Sequence, residues 1–117
     1  MASRLLCVTD TNVWIDLDNA GLTDLIFRLP LNLQAPDVIV VELERPDGAT
    51  LVGRGLQVRE LTGSQVLEVA RLARRYIRPS RSDLFALVLA RSQGVMLLTG
   101  DRHLRDPRVL CCDPRVL

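Results

Sequence analysis

Two short apolar runs, Leu5 to Thr9 and Val95 to Thr99, each close on an aspartate: Asp10 directly, and Asp101 after Gly100. Aliphatic runs of this length read as buried parallel strands. In open α/β sheets the ligand crevice lies beyond the carboxyl ends of the strands, so Asp10 and Asp101 are expected to be neighbours. Asp83 stands in the first turn of an apolar helix, and its carboxylate faces the same edge if that helix leads into the Val95 strand. Clustered carboxylates repel one another, and a converging set is best explained by a cation. Oxygen donors without nitrogen or sulfur partners select Mg²⁺ or Mn²⁺ over zinc. Such an ion keeps several waters and engages phosphates, which suits hydrolysis of a phosphodiester.

The elements that would position these acids can be read from spacing and punctuation. Val13 to Leu17 and Thr23 to Leu29 have helical spacing, with Thr23 as the N-cap and Pro30 as the stop. The run Val38 to Glu44 is ambiguous. Its β-branched residues favour a strand, while Pro36 and Asp37 are helix start signals. Arg45 to Gly55, with Pro46-Asp47-Gly48 and further glycines, reads as a turn or loop, and Leu56 to Leu61 alternates as a strand. Thr62-Gly63-Ser64-Gln65 is a capping box opening a helix with Val66, Val69, Ala70, Ala73 and Ile77 on one face, ended by Pro79. Ser80-x-x-Asp83 is a second such start. Leu84 to Ala90 is apolar on every side, as a helix buried from all directions must be, and Gly94 is its stop. Strands alternating with helices predict an α/β fold, three-layer α/β/α, with a mainly parallel sheet of four to five strands.

Bulk composition sets the outer limits. At 117 residues and 48% hydrophobic content the chain is expected to be one domain, 1–117, with a core that needs no staples. Its apolar runs are too short to span a membrane or to form a signal-peptide core, and cytoplasm is the expected compartment. Cys7, Cys111 and Cys112 form neither a zinc pattern nor a disulfide framework; Cys7 reads as a small buried hydrophobe. The net charge of +1 excludes a strongly basic nucleic-acid coat. All 15 cationic residues are arginine, whose planar fork suits phosphate, although biased codon usage explains the count as well.

Four segments carry a resemblance. Val8-Thr9-Asp10-Thr11-Asn12-Val13-Trp14-Ile15, Val41-Glu42-Leu43, Ser82-Asp83-Leu84-Phe85-Ala86-Leu87-Val88-Leu89-Ala90, and Leu97-Leu98-Thr99-Gly100-Asp101-Arg102-His103-Leu104 are similar, in order, to the four acidic motifs of PIN domains. The resemblance covers residues 5 to 105. It implies an endoribonuclease dependent on Mg²⁺ or Mn²⁺, commonly the toxin of a toxin–antitoxin pair, with RNA as substrate, an antitoxin protein as partner and a homodimer as assembly. Asp10, Glu42, Asp83 and Asp101 would be the catalytic, metal-binding carboxylates, and Asn12 and Thr99 would support them through hydrogen bonds. It also resolves the ambiguous run as a helix from about Val38, with Glu42 facing the site and Glu44 as the fallback. The chain departs from the family after the fourth motif. Pro107 and Pro114 oppose the usual final helix, leaving Val109 to Cys112 as an edge strand at most, so apolar surface should be exposed for a dimer or a partner segment to cover.

Taken singly, each residue has a plainer reading. Asp83 alone is a helix-start charge favoured by the macrodipole, Asp10 a turn residue, and Glu42 a solvated glutamate no different from Glu44 or Glu60. His103 reads as a surface residue, and Asp16, Asp18 and Asp24 as exposed charges. Only the joint placement argues for a site. Arg74, Arg75, Arg78, Arg81 and Arg102 are candidate RNA contacts. The competing function is a PIN-like RNA-binding or assembly module of little activity. A phosphoaspartate receiver or phosphatase is disfavoured, because position 12 is asparagine and the chain has no lysine.

Overall fold

A computed structural model describes residues 4–76 and 80–100. The fold is α/β, of the three-layer α/β/α class, and its order is β1 (Leu5–Thr9), α1 (Thr11–Asn19), α2 (Thr23–Ile26), β2 (Leu31–Pro36), α3 (Asp37–Glu42), α4 (Gly48–Arg54), β3 (Gln57–Arg59), α5 (Gly63–Arg75), α6 (Arg81–Gln93) and β4 (Met96–Leu98). The four strands form one all-parallel sheet in the order β3-β2-β1-β4. The chain winds outward from β1 through β2 to β3 and then returns to place β4 on the other side of β1. Parallel crossovers are right-handed as a rule, which places the connections made before and after such a reversal on opposite faces of a sheet.

Helix α6 is the centre of the core. Leu84, Ala86, Leu87, Val88, Leu89 and Ala90 are all buried, held between α5 on one side and β1, β2 and β4 on the other. Each buried leucine contributes about 1.5–3 kcal/mol relative to an exposed one. The expected stop holds: Gly94 adopts φ 65° and the N–H of Val95 closes on the Ala90 carbonyl at 3.0 Å. Cys7 is buried in β1, and burial pushes its thiol up from the usual range, so it stays protonated at neutral pH.

Three local expectations change and one open reading closes. The second strand is Leu31–Pro36, and the ambiguous run after it is helix α3, the alternative that the resemblance implied. Propensity loses there because Leu33, Gln34 and Ala35 already bury between β1 and β3, while Pro36 and Asp37 start a helix that buries Ile39 and exposes Val41. Residues 48–54, expected as loop, form α4, anchored by fully buried Leu51. Helix α2 is capped at Leu22, not Thr23. A Schellman close of α1 consumes that position: Gly21 takes φ 70°, its N–H bonds Asp18 O at 3.0 Å, and the N–H of Leu22 bonds Leu17 O at 2.8 Å. Finally, α5 turns Val69, Leu72 and Ala73 inward and leaves Val66 and Ala70 exposed, because its main packing partner is α6.

Ile77, Pro79, Val109, Cys111 and Cys112, and with them the edge strand expected over Val109 to Cys112, lie outside the described residues. Among the described residues Leu22, Leu25 and Leu29 are 41%, 50% and 44% exposed around α2. No helix among the described residues is long and apolar enough to cross a membrane.

Two glycines of α4 differ sharply. A Cβ at Gly48 would stand 2.0 Å from the Val40 carbonyl oxygen, whereas one at Gly53 would meet nothing within 4 Å. Gly48→Ala should therefore destabilise the fold by about 1–3 kcal/mol, and Gly53→Ala should stabilise it by about 0.5–1 kcal/mol. Urea unfolding of the two variants beside the parent checks both signs.

Candidate functional site

The reversal of strand order falls between β1 and β4, and at such a switch point the carboxyl ends of the strands open a crevice. Asp10 follows β1 there and is fully buried. It is the N-cap of α1: its Oδ1 accepts the N–H of Val13 at 2.8 Å, and its own N–H reaches Leu98 O of β4 at 3.3 Å. Its Oδ2 accepts the hydroxyl of Thr99, which follows β4. A carboxylate withdrawn from water needs such donors.

Behind Asp10 a buried relay holds the strand end. Trp14 Nε1 donates to Thr9 Oγ1 at 2.8 Å, and Thr9 donates in turn to the Gln34 carbonyl at 3.0 Å, tying α1, β1 and β2 together. The indole also stacks on Phe27, with centroids 5.5 Å apart.

Glu42 is the last residue of α3, and its side chain reaches two other elements. Oε1 accepts Thr11 Oγ1 of α1 at 2.6 Å, and Oε2 accepts Ser82 Oγ of α6 at 2.8 Å. Thr11 adjoins Asp10, and Ser82 adjoins Asp83. Asp83, 3% exposed, completes the capping box of α6: its N–H donates to Ser80 Oγ at 3.1 Å, and its Oδ2 accepts the Ser80 N–H at 3.3 Å. Glu44 instead sits in the turn bridged to Asp47, exposed, so the fallback acid takes no part in this arrangement.

Thus Asp10 is joined to Thr99, and Glu42 is joined to the neighbours of both Asp10 and Asp83. Asn12 lies on the first turn of α1 against Gly100. Asp101, His103, Arg78 and Arg102 lie outside the described residues. Sequence reasoning missed Thr11 and Ser82, although each is a hydroxyl residue beside a candidate acid at a helix start. It also read Asp16 as a plain exposed charge. Asp16 is exposed, but its Oδ2 stands 2.6 Å from where a Cβ of residue 100 would lie, one helical turn beyond Asn12. Asp18 and Asp24 lie apart from these groups, lining a cavity of about 240 Å³ with Thr50 and Arg54, where Arg54 pairs with Asp24.

Chemically, the set offers hard oxygen donors backed by hydroxyls, with no thiolate or imidazole among the described partners, which fits Mg²⁺ or Mn²⁺ in kind. Among the described residues no three His, Cys, Asp or Glu side chains stand close enough to hold an ion as a group. Asp10, Glu42 and Asp83 by themselves are therefore not brought together as a metal-holding group.

Comparison with protein family models, with curated proteins and with solved structures gave no match.

Thr99→Val removes a hydroxyl that donates to a fully buried carboxyl while keeping the side chain's shape. The expected cost is about 1–3 kcal/mol of folding stability, measured by chemical denaturation. A cost below about 0.5 kcal/mol, the size of an ordinary surface substitution, would mean that Asp10 does not depend on this donor.

Proposed function

We propose that this chain is a PIN-like, metal-dependent endoribonuclease that hydrolyses RNA phosphodiester bonds at the carboxyl edge of its sheet. The observation that carries the reading is the linkage of Glu42 to the first turns of both helices that bear Asp10 and Asp83, at the switch point of the sheet. Glu42 is thereby tied to the residues next to Asp10 and Asp83, and the carboxyl edge of the sheet is where α/β folds bind ligands.

In this reading Asp10, Glu42, Asp83 and Asp101 would hold Mg²⁺ or Mn²⁺. The chemistry such an ion would supply there, when bound, is activation of a water and neutralisation of charge on the attacked phosphate. The protein's own share is placement. Thr99 and the Val13 N–H fix the Asp10 carboxylate, the capping box fixes Asp83, and the Trp14–Thr9 relay keeps the end of β1 from shifting. Arginines near this edge, Arg74, Arg75 and Arg81 among the described residues, would meet the RNA backbone. The role of toxin in a toxin–antitoxin pair, a homodimeric assembly and a cytoplasmic location rest on the resemblance of the four acidic segments alone.

The test is cleavage of a mixed single-stranded RNA with Mg²⁺ or Mn²⁺, beside an EDTA control and Asp10→Asn, Asp101→Asn and the double variant. Asparagine is as good an N-cap as aspartate, so the Asp10 substitution keeps the start of α1 while removing the charge. Cutting should need the metal and fall by about 100-fold or more in the variants, the scale for losing one group that stabilises a transition state. A folded parent that cuts no RNA with either ion but binds it would be the RNA-binding or assembly module instead.

A further inference from the structure

Helices α1 and α6 each begin with a complete cap that leaves one hydroxyl unused. In α1 the cap is Asp10, and in α6 it is the Ser80–Asp83 box. Neither Thr11 nor Ser82 is needed to start its helix, yet both hydroxyls point at one carboxylate that comes from 31 and 40 residues away in sequence. Glu42 is an exposed residue, and an exposed glutamate ordinarily samples many rotamers. Here one oxygen accepts from Thr11 at 2.6 Å and the other from Ser82 at 2.8 Å, so the head group is fixed at both ends.

We propose that Thr11 and Ser82 are positioning residues, a two-hydroxyl clamp that sets Glu42 relative to Asp10 and Asp83 and thereby determines how tightly the site binds its divalent ion. The inference rests on the nuclease reading given above. Each clamp residue is the immediate neighbour of one candidate acid, so the two bonds fix the relative placement of the three stretches that carry the acids. Hydroxyls that orient a carboxylate without contacting the reacting atoms act through it, and removing such partners in metal sites lowers affinity or activity by about 10- to 100-fold.

The experiment uses the full chain with Thr11→Val, Ser82→Ala, the double variant, Thr11→Ser, Glu42→Gln, and Thr11→Val in the Glu42→Gln background. Mn²⁺ binding is followed by the paramagnetic resonance of the free ion, RNA cleavage is measured alongside, and circular dichroism with thermal melting confirms the fold. The expected result is a rise in the Mn²⁺ dissociation constant of about 10- to 100-fold in the double variant, near-parental binding in Thr11→Ser, and no added loss from Thr11→Val once Glu42 is already glutamine. Where Thr11→Val lowers the melting temperature, Ser82→Ala alone carries the comparison. A parent that binds Mn²⁺ and cuts RNA, beside clamp variants that do both equally well, would overturn the clamp and leave the nuclease reading standing. An unchanged loss from Thr11→Val in the Glu42→Gln background would overturn it too, since the hydroxyl would then act elsewhere. A parent with neither Mn²⁺ binding nor cleavage would remove the nuclease reading and the clamp with it.

Discussion

A carboxyl group with no exposure to water, at the end of the central strand, is the constraint around which this edge of the fold is arranged. Asp10 can remain buried only if the protein replaces the water it has lost. It does so with the first turn of α1, through the Val13 N–H, and with the end of β4, through the Thr99 hydroxyl. The two groups come from opposite ends of the described chain. Satisfying one aspartate therefore requires β4 to lie beside β1, which is the reversal of strand order that opens the crevice. The same side chain caps a helix, joins two strands and places a negative group at the switch point, so its burial ties local folding to the architecture of the site.

The sheet behind that site is small. Strands β3 and β4 have three residues each, too few to set their own register. Register is set instead by polar groups inside the core, where a one-residue slip would leave them without partners. Thr9 binds the Gln34 carbonyl across β1 and β2. The buried Gln34 side chain reaches α6 and β3: with its oxygen toward Arg59 it accepts Nε at 3.1 Å and Nη2 at 3.2 Å, while its nitrogen donates to Gln93 Oε1 at 3.2 Å. A fully apolar core at these positions would tolerate slippage that the amide does not. The apolar bulk of α6 supplies most of the burial, and these few hydrogen bonds choose one alignment among several of similar hydrophobic content.

What could be read in the sequence was whatever rests on local signals. The buried runs of β1 and β4, the two capping boxes, the Gly94 stop and the all-round apolar helix α6 each follow from a few adjacent residues, and so did the parallel α/β class. The misreadings have a common cause in tertiary contacts. Strand β2 contains Asn32, Gln34 and Pro36 and does not look buried until the Gln34 amide network exists. Helix α4 contains two glycines, one of which is required because the Val40 backbone passes where a side chain would go. The inward face of α5 was assigned from periodicity alone, but it is decided by which layer the helix packs against. At the site, aspartates at strand ends and helix starts were legible because the local element fixes where they point. Thr11 and Ser82 were not, since their importance comes from a glutamate on a third element that no spacing rule connects to them.

The three described acids also differ in how the backbone treats them, and this explains why only Glu42 needs a clamp. Asp10 is an N-cap and Asp83 lies in the first turn of α6, where unpaired amides and the positive end of the helix favour a carboxylate. Glu42 ends α3, where unpaired carbonyls disfavour one. Nothing in its own helix holds its charge, so the donors must come from outside. They come from the first turns of α1 and α6, the two places that already hold the other acids. An unfavourable backbone position for Glu42 is thus converted into a link between α1, α3 and α6, and the acid with the weakest claim on sequence grounds becomes the one that sets the spacing of the others.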